Sequence, residues 1–523
     1  MKSIELSRLA LQDSLDVLKT QQERNILGQF ATPHALASDI LRHALFLMPS
    51  CAKVDFLDPA IGTGSFYAAL RSHFQPDNVI RARGFEVDPH YGLPAMHLWN
   101  ETSLELQIKD FTVCPPPAVD DRANLIICNP PYVRHHHLDL HAKSHLAEAA
   151  ARNSGIEIGG LAGLYCYFMA IAHAWLAEGG LAGWLIPSEF MDVNYGSAVR
   201  KYLTEKVDLV QIHRFDPKEL QFGDAQVSSA VVWFRKRTPS PLQTAKMTFG
   251  GTLADPLVYR QIPIQELRKS SKWSSLVHGP AKVRPSGHKL SDLFSIKRGL
   301  ATGDNKFFIL TEEKAHRLLV PEQFLRPVLP SPRHLVSDVV EADELGRPSL
   351  AQRLYLLDCP LNEEEVSRIS APLAEYLSGG RDKAAQTYIC SRRTPWYSQE
   401  KRPAAPFVCT YMGRGLQDRP RPFRFILNKS NATALNVYLM LYPRPLLASA
   451  MQSDGKVAIA VWEMLNAIPS EVLLGEGRVY GGGLYKMEPK ELANVPADGI
   501  MALLPKTGSE SMVQGEMFSD LVA

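Results

Sequence analysis

Between about residues 52 and 235, short apolar stretches alternate with helical ones, and this alternation limits the fold more than any other feature of the chain. "VDFLD" precedes "SFYAALRSHF", "IRARGFEVD" precedes "YGLPAMHLWN", "LIICNPPY" precedes "LYCYFMAIAHAWLAE", and "LAGWLIP" precedes "GSAVRKYLTEKV". A strand that is apolar throughout must be covered on both faces. That predicts βαβ units in a mixed, mostly parallel sheet with helices on each side, an α/β domain. The last two strands, "LVQIHRF" and "SSAVVWFRKR", are joined by a loop and not a helix, so one of them is expected to run antiparallel.

The remaining sequence has a different character. Composition shifts from about residue 236, and from 285 onward short strands, Pro-rich loops and Gly runs predict a separate α+β domain. The expected division is 1–250, a connecting segment 251–284, and 285–523. A length of 523 residues agrees with more than one domain. A formal net charge of +2 excludes a uniformly basic nucleic-acid binder, so any such surface must be local. The seven cysteines form no CxxC pair, which argues against a zinc site or a disulfide framework. The N-terminal segment carries charges throughout and is not a signal peptide, and no apolar run reaches the ~18 residues of a membrane span. A cytoplasmic protein is expected.

Chemistry-bearing residues collect at strand ends. In "FLDPAIGTGSF", Gly62 and Gly64 form a turn between strand and helix that permits a ligand to approach the backbone. It is neither GxGxxG nor a P-loop. The next strand ends on Glu86, 22 residues beyond Gly64, where a carboxylate can bind two ribose hydroxyls. "LQIKDFTV" ends on Asp110 and Phe111, suited to an adenine amino group and ring. Three such ends in order point to a nucleoside cofactor. "LIICNPPYVRHHH" ends a strand on Asn129, Pro130, Pro131 and Tyr132; the prolines cannot extend a sheet ladder and fix an open backbone. Thr32 and Pro33 of "GQFATP" read as helix N-cap and first helical residue. Adjacent histidines 135–137 point in different directions, so a loop with Arg134 facing a polyanion is favoured over a metal site.

GQFATP, DPAIGTGSF, GFEVDP, KDF, NPPY and "FGDAQVSSAVVWF" stand in the order typical of gamma-type N6-adenine DNA methyltransferases of restriction–modification systems, and the chain resembles that family over about residues 20–240. The likeness is looser over 285–523, which is similar to the family's target-recognition domain. The resemblance implies a Rossmann-like domain that uses S-adenosylmethionine. It puts the cofactor's methionine end near Thr32 and the turn Asp58, Ala60, Gly62 and Gly64, its ribose on Glu86, and its adenine by Asp110 and Phe111. It further implies that Asn129 and the Pro130 carbonyl orient the exocyclic amine of a flipped-out adenine, with Tyr132 and Phe222 as stacking surfaces. No metal and no covalent intermediate are needed, so Cys128 is expected to be strand core.

Double-stranded DNA is then the expected partner. The stretch 391–431 interleaves basic and aromatic residues, and Arg414, Arg419, Arg421, Arg424 and Lys429 are candidate DNA contacts. Arg298 in "KRGLATGDN" is another, beside glycines expected to admit DNA. One NPPY and one glycine turn predict a monomer that handles one base per event, paired functionally with a restriction endonuclease. About 27 residues precede GQFATP, too few for a fused nuclease domain. Two alternatives stay open: a methyltransferase acting on RNA or on protein glutamine, and a non-catalytic DNA-specificity subunit.

Overall fold

The computed structural model describes residues 2–49, 52–217, 219, 221, 228–277, 287–415, 421–480 and 483–504. The chain forms two compact units, Met1–Ala281 with Val479–Gly483, and Lys282–Arg478 with Leu484–Ala523. Among the described residues no single helix is long and apolar enough to cross a membrane.

The first unit opens with helices α1 (Lys2–Val17), α2 (Gln21–Leu27) and α3 (His34–Leu47). The break between α1 and α2 has a local cause: Thr20 caps α2 through a reciprocal pair of bonds with Glu23. Strands and helices then alternate as β1 (Val54–Asp58), α4 (Ser65–His73), β2 (Val79–Glu86), α5 (Pro89–Leu98), β3 (Leu104–Ile108) and β4 (Ala123–Cys128). There follow α6 (Leu140–Ser154), α7 (Leu164–Ala172), β5 (Leu176–Pro187), α8 (Ser197–Glu205), β6 (Asp208–Arg214) and β7 (Ser229–Arg235).

These strands lie in a nine-stranded sheet of order β3-β2-β1-β4-β5-β7-β6-β8-β9, where β8 is Thr244–Gly251 and β9 is Pro256–Pro263. The pairs from β3 to β5 are parallel, and β7 runs antiparallel between β5 and β6, as the missing crossover helix predicts. Every residue of β1 is buried, and apolar clusters cover both faces of the sheet. The order reverses between β1 and β4, so loops leaving these two strands diverge and open a crevice at their carboxyl ends.

The segment 251–284, expected as a connector, is a correction. Its described part contributes β9 and helices α9 (Ile264–Lys269) and α10 (Ser274–Val277), and β9 pairs with β8 at the sheet edge. On β9 the even positions 256–262 are half-buried or buried, and Leu257, Tyr259 and Gln261 are exposed. This edge-strand pattern looks like a polar transition when only composition is read.

The second unit contains β10 (Phe294–Arg298), β11 (Ile309–Thr311), β12 (Leu325–Val328), β13 (Val339–Val340), β14 (Leu354–Leu357), β15 (Phe407–Thr410), β16 (Met412–Arg414), β17 (Phe425–Asn428) and β18 (Tyr438–Pro443). Five form a sheet of order β10-β18-β15-β17-β13, and three form a smaller sheet of order β11-β14-β12. β16 pairs with Leu484–Lys486. With the short helices between them these make the expected α+β unit.

Candidate functional site

A cleft of about 980 Å³ opens at the carboxyl ends of β1, β2 and β4 in the first unit. Ala60, Gly62, Glu86, Asp110, Phe111 and Asn129 all line it, so residues 69 positions apart in sequence share one wall.

The glycine turn works through two different constraints. Gly62 has φ +55, and a Cβ there would meet no atom within 4 Å, so this backbone faces open space where a ligand can approach. Gly64 has φ +93, and its Cβ would fall 2.6 Å from the Trp99 indole nitrogen. Gly64 is thus required by packing and does not line the cleft. Asp58 also sits below the turn. It is 1% exposed, accepts the Ala60 N–H at 3.1 Å, and is pushed up to about 8 by burial. Its expected contact with a ligand therefore gives way to a structural one, holding the turn from beneath.

Glu86 lines the cleft with its carboxylate fixed by the backbone: Oε2 accepts the Gly62 N–H at 3.0 Å and Oε1 the Asp88 N–H at 2.8 Å. Burial raises its pKa, and the two N–H bonds oppose that rise. Asp110 is exposed at the rim, where Oδ1 accepts from both the backbone N–H and the hydroxyl of Thr112. Phe111 departs from expectation. At 1% exposed it lies in an aromatic cluster with Phe85, Phe168 and Trp175, and it forms part of the cleft floor, not a freely presented ring.

Asn129 follows β4 directly. Its Nδ2 donates to the Phe30 carbonyl and to Thr32 Oγ1, both at 3.1 Å. A carbonyl can only accept, so this contact fixes which end of the amide faces GQFATP. Oδ1 is left on the other side, buried and without a hydrogen-bond partner among the described residues. A buried acceptor with no donor is costly unless a ligand supplies one. Thr32 is thereby reassigned: α3 starts at His34 with Pro33 as N-cap, and the Thr32 hydroxyl accepts from Asn129 instead of capping the helix.

The loop carrying Asn129 is clamped on both sides. Tyr132 N–H donates to the Gly28 carbonyl at 3.2 Å, and Leu164 N–H donates to the Val133 carbonyl at 3.0 Å. A Cβ on Gly28 would lie 2.4 Å from the Tyr132 nitrogen, which explains the glycine at that position. Tyr132 donates its hydroxyl to the Leu185 carbonyl of β5 at 3.1 Å, and its ring tilts against Phe30 at 5.9 Å. Pro130 is buried. Cys128 is fully buried and its thiol is raised well above the usual range, so it offers no thiolate. Phe222 lies outside the described residues.

Sequence reasoning missed the contribution of α1. Gln12 and Asp16 of this helix, with Lys19 just beyond it, line the same cleft, as do Gln29, Asp88 and Tyr91. On a helical wheel these α1 residues are an ordinary polar face, so nothing in the sequence marks them.

The basic candidates divide sharply. Arg134 is exposed at the start of the three-histidine turn, and among the described residues no cluster of three or more His, Cys, Asp or Glu could hold a metal. In the second unit Arg424 is a correction. Its guanidinium bonds Asp338 and the carbonyls of Pro332 and Leu335, so it staples a loop and is not presented at the surface. Lys429 pairs with Glu341 at 2.7 Å, and Arg421 donates to the Asn466 carbonyl. Arg414 is exposed on β16, and Arg419 lies outside the described residues. Arg298 is exposed on β10, stacked 4.0 Å over Tyr411 with Nε on the Asn436 carbonyl at 3.1 Å. The glycines beside it serve internal packing: a Cβ on Gly299 would lie 2.0 Å from the Leu435 carbonyl oxygen, and one on Gly303 would lie 2.5 Å from Cys390 Sγ.

Residues 96–221 match the Eco57I restriction-modification methylase family, and residues 279–514 match the C-terminal domain of type II methyltransferase M.Eco57I. Type II methyltransferase M.XamI of Xanthomonas campestris pv. amaranthicola is 31% identical over 449 residues, covering 83% of this chain and 79% of that protein. M.AccI of Acinetobacter calcoaceticus is 24% identical, covering 90% of this chain and 85% of its own length. The fold is shared with the type IIL restriction-modification enzyme MmeI, solved in complex with DNA, at TM-score 0.52 and 13% identity; the match spans 87% of this chain and 64% of that one.

Proposed function

The chain belongs to the type II methyltransferases of restriction–modification systems, and from that premise we propose that it methylates the exocyclic N6 of an adenine in double-stranded DNA, using S-adenosylmethionine. The observation that carries this reading is the buried, unpartnered Oδ1 of Asn129 at the cleft wall. An exocyclic amine brings the N–H that this acceptor lacks. With the Pro130 carbonyl as second acceptor, two bonds draw the amine's protons, raise electron density on its nitrogen and orient the lone pair. Phe30 and Thr32 keep the amide from turning, so the acceptor is in place before substrate arrives.

The cleft residues fit the proposed cofactor. Gly62 offers open backbone, Glu86 a fixed carboxylate for ribose hydroxyls, and Asp110 a rim acceptor for an adenine amine. Bound there, S-adenosylmethionine supplies an electrophilic sulfonium methyl. An adenine inside a duplex cannot reach Asn129, so the base must leave the stack, and aromatic surfaces such as Tyr132 and Phe222 replace the lost stacking at about 1–3 kcal/mol per ring. The second unit is read as the DNA-recognition domain, with Arg298 and Arg414 as its leading contacts and one chain acting per base. Protection of DNA from a partner endonuclease is the physiological role this implies.

The test is transfer of a labelled methyl group from S-adenosylmethionine by the purified chain to unmodified plasmid, to RNA, and to a glutamine peptide in parallel. Label confined to plasmid, recovered as N6-methyladenine, is expected. Label in RNA or peptide alone would reverse the assignment.

A further inference from the structure

Arg8 of α1 is 1% exposed, yet it has no part in the chemistry described above. Its Nη1 donates to Thr63 Oγ1 at 3.2 Å, in the glycine turn, and to Ser65 Oγ at 3.0 Å, at the start of α4. Its Nε and Nη2 form a two-pronged pair with Glu5 at 2.8 and 2.6 Å, and Glu5 also meets His34 Nδ1 at 2.8 Å at the start of α3. Thr63 in turn donates its hydroxyl to Gln12 Oε1 at 2.6 Å. At the far end of the helix, Tyr91 donates to Asp16 at 2.8 Å, His90 Nε2 meets the Leu15 carbonyl at 3.0 Å, and Lys19 bonds Asp88 and Gln29.

The helix, with Lys19 just beyond it, therefore touches three of the segments that line the cleft: the glycine turn, the loop after β2, and GQFATP. Its residues Gln12 and Asp16, with Lys19, supply one wall. A buried guanidinium is costly to desolvate and is stable only when its donors are engaged, so the Arg8 contacts fix the helix in one position. We propose that Arg8 is a positioning residue for cofactor binding: it docks α1 on the Thr63–Ser65 turn so that Gln12, Asp16 and Lys19 close the cleft over S-adenosylmethionine. This inference rests on the cofactor assigned above.

The full-length chain would be compared with Arg8→Met and Arg8→Lys by calorimetric titration of S-adenosylmethionine without DNA, by KM for each substrate, and by tryptic cleavage around Lys19 and Arg24 with and without cofactor. Arg8→Met should weaken cofactor affinity and raise its KM at least about tenfold, leave kcat and the KM for DNA within about twofold, and abolish cofactor protection of that cleavage site. Arg8→Lys should recover part of the affinity. Lys19→Met, a half-buried change that keeps the core intact, should also weaken the cofactor several-fold without shifting Tm. Cofactor affinity unchanged in Arg8→Met, or a fall in Tm with unaltered affinity in Lys19→Met, overturns the inference alone. No binding by the unaltered chain overturns the cofactor assignment together with it.

Discussion

Asn129 and Phe30, 99 residues apart in sequence, meet through a 3.1 Å hydrogen bond from the side-chain amide to the backbone carbonyl, and this single contact decides which way the amide faces. Substitution tests its importance. Asn129→Ala removes the acceptor and should lower kcat by about 10²-fold or more, in the range seen when a transition-state hydrogen-bond partner is deleted. DNA binding measured by gel shift should survive. Turnover near that of the unaltered chain would remove Asn129 from the mechanism.

Gly28 connects the same two loops through the backbone. Alanine there combines a positive φ of +65 with a 2.4 Å approach to the Tyr132 nitrogen. Gly28→Ala should lower stability by about 1–3 kcal/mol, and it should lower kcat as well, because the loop bearing Asn129 has to move. Thermal unfolding and steady-state rates check both parts. A variant with unchanged Tm and kcat would show that the clamp is dispensable.

Burial gives the stability profile two slopes. Asp58 is raised to about 8, so it contributes stability that is fully present below the unfolded carboxylate pKa and is lost as pH rises through the folded value. Each pKa unit is worth about 1.4 kcal/mol. Asp58→Asn should remove the decline between about pH 6.5 and 8. His213 is fully buried and lowered to about 4 by burial, so its contribution is present above the unfolded histidine pKa and is lost as pH falls toward 4. The two slopes oppose one another from about pH 4 to 6.5, so denaturant midpoints should change little there and fall between about pH 6.5 and 8. A stability that kept rising to pH 9 would contradict the Asp58 assignment.

Two arginines of the second unit should behave in opposite ways. Arg424→Ala breaks the Asp338 pair and two carbonyl contacts, and should cost about 1–3 kcal/mol of stability. Arg298→Ala, at an exposed site, should change stability by less than about 0.5 kcal/mol. It should reduce DNA affinity, with the salt slope falling by about one if the contact is to phosphate. Unfolding curves and salt-dependent binding separate the two, and the reverse pattern would put the DNA face elsewhere.

Much of the catalytic fold could be read from sequence because its signals are local. Apolar strands, glycine turns and Pro-Pro after Asn129 each act through their own backbone, so position along the chain predicts position at the sheet edge. What escaped depends on partners distant in sequence. Arg424 reads as a surface charge until Asp338, 86 residues away, is beside it. Arg8 and Gln12 read as a solvated helix face, since polarity in sequence does not reveal what will cover it. Thr32 fits an N-cap pattern, but Asn129 competes for its hydroxyl. Leu176–Glu178 read as the end of a helix and instead begin β5, an interior strand between β4 and β7 in which Gly179 takes a φ of +75.

The most direct measurement is base-resolved sequencing and nucleoside mass spectrometry of DNA from methylation-deficient cells that express the chain or its Asn129→Ala variant. N6-methyladenine should occur at a single sequence motif with the unaltered chain and be absent with the variant. A modified cytosine, or unmodified DNA from cells that make the folded, unaltered chain, would contradict the account.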